Sequence, residues 1–142
     1  MADIKFTSNV NDILSALENG KRNALTAIGA TAETHTKENI TADKLIDTGR
    51  LRNSITYAAG DYLGVGTYTD NNKKSYSDAK ARNTPKDDEV AIGTNVEYAP
   101  YLELGTQHIA AHHYLKRAAT EHKNEYKKLT AQAIKTAINN SQ

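Results

Sequence analysis

The chain has 142 residues, 38% hydrophobic and 25% charged, the balance of a polar globular chain of one domain spanning 1–142. Lys and Arg number 18 against 17 Asp and Glu, a net of +1, so the basic excess of a free-standing nucleic-acid binder is missing. With no cysteine there is no disulfide framework or thiol chemistry, and no run approaches the ~20 apolar residues that cross a bilayer.

The N-terminus, MADIKFTSNVND, lacks an apolar core of signal-peptide length, so a soluble chain made in the cytoplasm is expected. Ser8 and Asn9 are good N-caps. After them Val10, Ile13, Leu14, Leu17, Ala24, Leu25, Ile28 and Ala32 recur at helical spacing. One long helix over 8–40 is expected, its stripe skipping a beat at Gly20, where a kink is placed. Asp47-Thr48-Gly49 breaks the pattern, and 50–98 reads as a small antiparallel sheet of three to four strands. Leu51–Tyr57 and Tyr62–Tyr68 form its first hairpin around Gly60-Asp61, and Glu89–Thr94 is the next strand.

Between them, 69–88 is polar, holds no large aliphatic residue, and reads as a long exposed loop. It carries Lys73, Lys74, Lys80, Arg82 and Lys86 against four aspartates, a candidate docking or channel-facing arm on an otherwise solvated loop. Pro100 suits the first turn of a helix and Gly105 its end, so 99–105 reads as one short helical turn. A second long helix is expected over 111–139, with Leu115, Ala118, His122, Tyr126, Leu129, Ala133 and Ala137 as its stripe. The fold class is α+β: long N-terminal helix, small antiparallel sheet, long C-terminal helix.

Signals for chemistry are thin. Gly64-Val65-Gly66 is half a dinucleotide fingerprint without a strand-to-helix turn, better read as a strand with a close backbone approach. His108, His112 and His113 are the one metal-like group in the sequence pattern, but without an HExxH spacing they read as surface or interface histidines. Asp47, Glu97 and Glu103 read as caps and ion-pair carboxylates, and Ser54 has no histidine–acid pattern beside it. No catalytic residue, metal or cofactor is expected.

Two blocks carry a resemblance. Ile46-Asp47-Thr48-Gly49-Arg50-Leu51-Arg52-Asn53-Ser54-Ile55 and Ile92-Gly93-Thr94-Asn95-Val96-Glu97-Tyr98-Ala99-Pro100-Tyr101-Leu102-Glu103-Leu104-Gly105-Thr106 resemble the "vDTGrLrnSI" and "vGTnveYApyvEfGT" blocks of a tailed-bacteriophage neck family. Its members are called tail-completion, head–tail joining or minor tail proteins. A third family block, "aRPFLrPA", corresponds to Ala111–Ala118, where His113 and Arg117 replace both prolines.

The resemblance implies a structural virion protein, not an enzyme, at the junction of head connector and tail, completing or terminating the tail. Implied partners are further copies of itself in a ring of six around the DNA channel, and the neighbouring connector, stopper and tail-tube proteins. DNA would be met only in passage, and no membrane is involved. Localisation would be the virion, with the host cytoplasm as place of assembly. On this reading Arg50, Arg52, Glu97, Tyr98, Pro100, Tyr101 and Glu103 form a subunit or partner interface, with the tyrosines supplying contact area. The alternative is a nucleic-acid-binding module using the basic 69–88 loop, recognised by salt-dependent affinity.

Overall fold

The computed structural model describes residues 10–45, 49–59, 62–63, 67–69, 73–77 and 88–140. The order is α1 (Val10–Ala42), α2 (Arg50–Ser54), β1 (Thr56–Ala59), β2 (Tyr62–Leu63), β3 (Thr67–Thr69), β4 (Ser75–Ser77), β5 (Val90–Gly93), α3 (Ala99–Leu104), α4 (Tyr114–Thr120) and α5 (Lys123–Asn140). The described chain is mostly helical, with long helices at both ends and a small antiparallel sheet, as expected in outline. The main sheet has three strands, the low end of the expected count, and they are shorter than expected.

Helix α1 runs unbroken through Gly20. Its buried face is a row of small residues: Ala16, Gly20, Ala24, Gly29, Ala32 and Thr36, ending at Ile40. Small side chains let a neighbour come close. A Cβ on Gly20 would stand 3.0 Å from the Ile134 Cα and 3.1 Å from the Ala137 Cβ, so α5 lies directly against it. Glycine here serves close packing rather than a kink. The contacts of Gly20 with Ile134 and of His35 with Glu125 set α1 and α5 antiparallel.

The large aliphatics expected on this core face do not all lie on it. Val10, Ile13, Leu14 and Leu17 are exposed. The helical period was legible, but four of its largest members face solvent while alanine and glycine face α5.

A Schellman motif ends α1. Leu45 N–H donates to the Ile40 carbonyl and Lys44 N–H to that of Thr41, with Lys44 at φ 57°. Leu45 then packs against the cluster that holds Ile40, the apolar contact this motif favours.

Residues 51–57, expected as a strand, divide into one helical turn and a strand. Gly49, at φ 83°, starts α2, and the Asn53 N–H donates back to the Gly49 carbonyl at 2.9 Å. Leu51, Ser54 and Ile55 are buried together, a helical rather than alternating spacing. The main sheet has the order β2–β1–β5, with β1 antiparallel to both neighbours. Thr56 pairs with Gly93 and Ala59 with Val90, while β2 adds only Ala58↔Leu63 and Ala59↔Tyr62. The hairpin turn at 60–61 and the Gly64–Gly66 motif lie outside the described residues. Strands β3 and β4 form a separate ribbon, so part of the stretch expected as an unstructured loop is paired.

The expected 111–139 helix starts later and divides in two. Residues 111–113 precede α4, and a turn at Glu121-His122 separates α4 from α5. The Tyr126 hydroxyl donates to the Ala118 carbonyl, satisfying an acceptor in the last turn of α4 that the break leaves without a helical partner. The main core cluster, Ile40, Leu51, Ile55, Val96, Ala99 and Tyr114, sits where the end of α1, α2, α3 and α4 meet.

Candidate functional site

The two sequence blocks, some forty residues apart, fold into one corner. A relay of three hydroxyl-centred bonds runs between them and crosses from one block to the other at Ser54–Thr94. Val96 N–H donates to Thr94 Oγ1 at 3.1 Å, Thr94 Oγ1 meets Ser54 Oγ at 2.6 Å, and Ser54 Oγ donates to the Leu51 carbonyl at 2.6 Å. Since Ser54 gives its proton to Leu51, the Thr94 hydroxyl is the donor between the two. Above this relay the Arg50 guanidinium grips Glu97 with two parallel bonds of 3.0 and 3.1 Å. That is the fork geometry that makes arginine–carboxylate pairs specific. Arg50 and Glu97, expected to face a neighbouring subunit, are thus paired within the chain. Arg52 lies half-buried on the same helical turn.

Helix α3 carries Pro100 in its first turn and ends at Gly105. Gly105 has φ 77° and ψ 168°, a positive-φ extended conformation rather than the left-handed helical one. A Cβ there would stand 2.8 Å from the Ala111 nitrogen, so only glycine lets the following loop fold back. In that loop Thr106 repeats the Thr94 device: its Oγ1 accepts from the N–H groups of His108 and Ile109 at 3.2 and 3.0 Å.

Glu103 is half-buried and turned inward. Its two carboxylate oxygens accept from the N–H groups of Leu115 and Lys116 at 2.9 and 3.0 Å. Helix α4 has no side-chain cap from His113, so Glu103 supplies the cap from a distance, with its charge at the favourable end of the helix. The loop is stitched to α3 by His112 N–H to the Leu102 carbonyl and His113 N–H to that of Glu103, at 2.9 and 3.1 Å.

The tyrosines divide. Tyr98 is half-buried against the core cluster. Tyr101 is 58% exposed, beside Leu104 at 70% and Ile109 at 40%. The tyrosine that locks the corner is one the sequence reading did not single out. Tyr114 is fully buried and donates to the Ala99 carbonyl at 2.8 Å. Burial, with Glu103 and Tyr98 nearby, pushes its phenol well above the usual range, so it stays a hydrogen-bond donor.

The third block departs from the family pattern in its backbone as well as its side chains. His113 sits at φ 49°, which proline cannot adopt. At the other replaced position Arg117 N–H donates to the His113 carbonyl, a bond proline cannot make, and its guanidinium reaches Asp43 at 2.8 Å. His112 Nδ1 faces the same Asp43 carboxylate at 3.4 Å. His108 is exposed, and both it and His112 precede α4 rather than sharing its face. Of the basic loop, Lys73 and Lys74 are exposed, and Lys80, Arg82 and Lys86 lie outside the described residues.

Hydroxyl relays, a remote cap and a forked ion pair fix the shape of this corner, and large apolar side chains cover its outer side. The chain belongs to the family described as "Bacteriophage HK97-gp10, putative tail-component", whose model matches residues 4–105. Both sequence blocks lie within that match apart from the final Thr106, and the third block falls beyond its end. No curated protein and no solved structure matches the chain. Among the described residues no helix is long and apolar enough to cross a membrane.

Proposed function

We propose that the protein is a ring-forming subunit of the phage neck, joining the head connector to the tail or completing the tail around the DNA channel. The observation that carries this reading is the outward cluster Tyr101, Leu104 and Ile109 on a corner otherwise tied down by internal bonds. An aromatic and two aliphatics held on a rigid turn lose little entropy on docking.

A second exposed apolar surface, Val10, Ile13, Leu14 and Leu17, lies at the opposite end of α1 from Ile40 and the corner. At a rise of 1.5 Å per residue the two are separated by roughly 35 Å. Two different surfaces on one subunit are what a head-to-tail contact needs, and such contacts close into rings when the rotation allows. The resemblance favours a ring of six, and the proposed neighbours above and below it are connector and tail-tube proteins. Assembly would take place in the host cytoplasm.

The test is Tyr101→Ala combined with Leu104→Ser, since Tyr98 packs on the core and its removal would confound folding with docking. The variant is expected to keep the wild-type helical signal and melting temperature but fail to complete infectious particles. Normal particle completion by the folded variant would overturn the role given to this corner.

A further inference from the structure

Away from the corner, where the start of α5 crosses α1, two histidines stack face to face. The rings of His35 and His122 are 3.5 Å apart and within 2° of parallel. His35 Nδ1 lies 3.1 Å from Glu38 Oε2, and its Nε2 lies 2.9 Å from Glu125 Oε2. His122 Nδ1 is 3.6 Å from that same Glu125 oxygen. One carboxylate oxygen thus faces a nitrogen from each ring, and the three groups present ligand atoms within 4.8 Å of one another.

A neutral imidazole has one N–H and one lone pair. If Nδ1 of His35 donates to Glu38, Nε2 turns a lone pair toward a carboxylate oxygen that also has only lone pairs. A positive centre must stand between them. A proton satisfies His35 and Glu125 but leaves His122 Nδ1 beyond hydrogen-bond reach of the oxygen. A metal cation can take a lone pair from each of the three once the two rings splay from their stack.

Two imidazole nitrogens and one carboxylate form a donor set for borderline transition cations, and solvent completes the shell. Metal–nitrogen and metal–oxygen bonds of about 2.0–2.2 Å require the 2.9 Å contact to open by roughly half an ångström and the parallel rings, 3.5 Å apart, to tilt until both in-plane lone pairs meet one cation. Glu125, 47% exposed, has room to retreat that far. Glu38 is placed as the outer carboxylate that fixes the tautomer and orientation of a metal-bound histidine.

We propose that His35, His122 and Glu125 bind a divalent transition cation of the Zn²⁺ type, which clamps α1 to the α4–α5 junction, with Glu38 as a positioning residue. The proposal is independent of the neck reading, because a clamp between these helices acts within one chain.

The test uses the untagged full chain, stripped with chelator and titrated calorimetrically with Zn²⁺, Ni²⁺ and Mg²⁺. One equivalent of Zn²⁺ or Ni²⁺ and no Mg²⁺ is expected, with a melting temperature that rises with Zn²⁺ concentration. His122→Gln and Glu125→Gln should abolish stoichiometric binding. Glu38→Gln should weaken it by about 10- to 100-fold while leaving the metal-free melting temperature unchanged. The triple substitution of His108, His112 and His113 by Gln should leave binding intact. Glu125 is on the surface, so its variant keeps the test valid if His122→Gln fails to fold. Absence of stoichiometric Zn²⁺ and Ni²⁺ binding overturns the proposal. So does binding that survives Glu125→Gln, or binding that disappears in the triple variant.

Discussion

Restoring a proline of the family pattern should harm this protein. Consensus substitutions commonly stabilise, so His113→Pro would ordinarily be chosen as an improvement. Here His113 holds φ 49° and its N–H donates to the Glu103 carbonyl at 3.1 Å. Proline requires φ near −65° and has no N–H. The substitution removes one hydrogen bond, about 1 kcal/mol. It also forces the backbone that leads into α4 onto a different path, about 2–3 kcal/mol more. That path carries Tyr114 into the core, so the corner loosens with it. A total of about 3–4 kcal/mol is a large share of the ~5–15 kcal/mol that stabilises a domain. In urea unfolding followed by circular dichroism, with a slope of about 2 kcal/mol/M, the midpoint should fall by roughly 1.5–2 M. His113→Gly tests the same reasoning from the other side. It relieves the left-handed strain of a residue with a Cβ and should stabilise by about 0.5–1 kcal/mol. A proline variant as stable as wild type, or a glycine variant less stable, would refute the backbone argument.

Other outcomes follow from the same structure. Glu103→Ala removes the acceptor for both the Leu115 and Lys116 N–H groups and should cost about 1.5–2 kcal/mol, while Glu103→Gln keeps one acceptor and should cost about half that, read by urea midpoints. Gly29→Ala would place a Cβ 2.8 Å from Tyr57 Cγ and closer still to Cδ2. Overpacking of about 1–3 kcal/mol then outweighs the ~1 kcal/mol gain in helix propensity, and a lower melting temperature is expected. Lys44→Gly, at the left-handed position of the Schellman motif, should raise the melting temperature by a few degrees, from about 1 kcal/mol of relieved strain.

The corner was legible in the sequence because its signals are chemical and local. Pro100 at a helix start, the glycines and the Gly-Thr pairs each act within a few residues, and Gly105 and the two threonines are found making turns. What sequence could not supply was the partner across the fold. Arg50 and Glu97 were legible as ion-pair charges, but the sequence reading placed the partners on neighbouring subunits, whereas they meet within one chain. Glu103 read as an interface carboxylate and is the cap of a helix that begins eleven residues later. His122 read as one more member of an apolar stripe, and its stacking partner His35 sits on another helix.

The misreading of α1 has a different cause and carries more information. Helical periodicity places the large aliphatics Val10, Ile13, Leu14 and Leu17 on the core face, because hydropathy favours burying the largest apolar groups. The structure gives the buried face to Ala16, Gly20 and Ala24, because α5 approaches too closely for anything larger. Burying small residues yields little hydrophobic free energy per residue, about 25 cal/mol for each square ångström removed from water. The aliphatics left outside hold the larger share still to be gained. Tyr101, Leu104 and Ile109 at the other end of the helix are in the same position. In the proposed ring these two sets would be covered by neighbours, and the stripe read from the sequence would be a true apolar stripe whose partner is another copy of the chain rather than its own sheet.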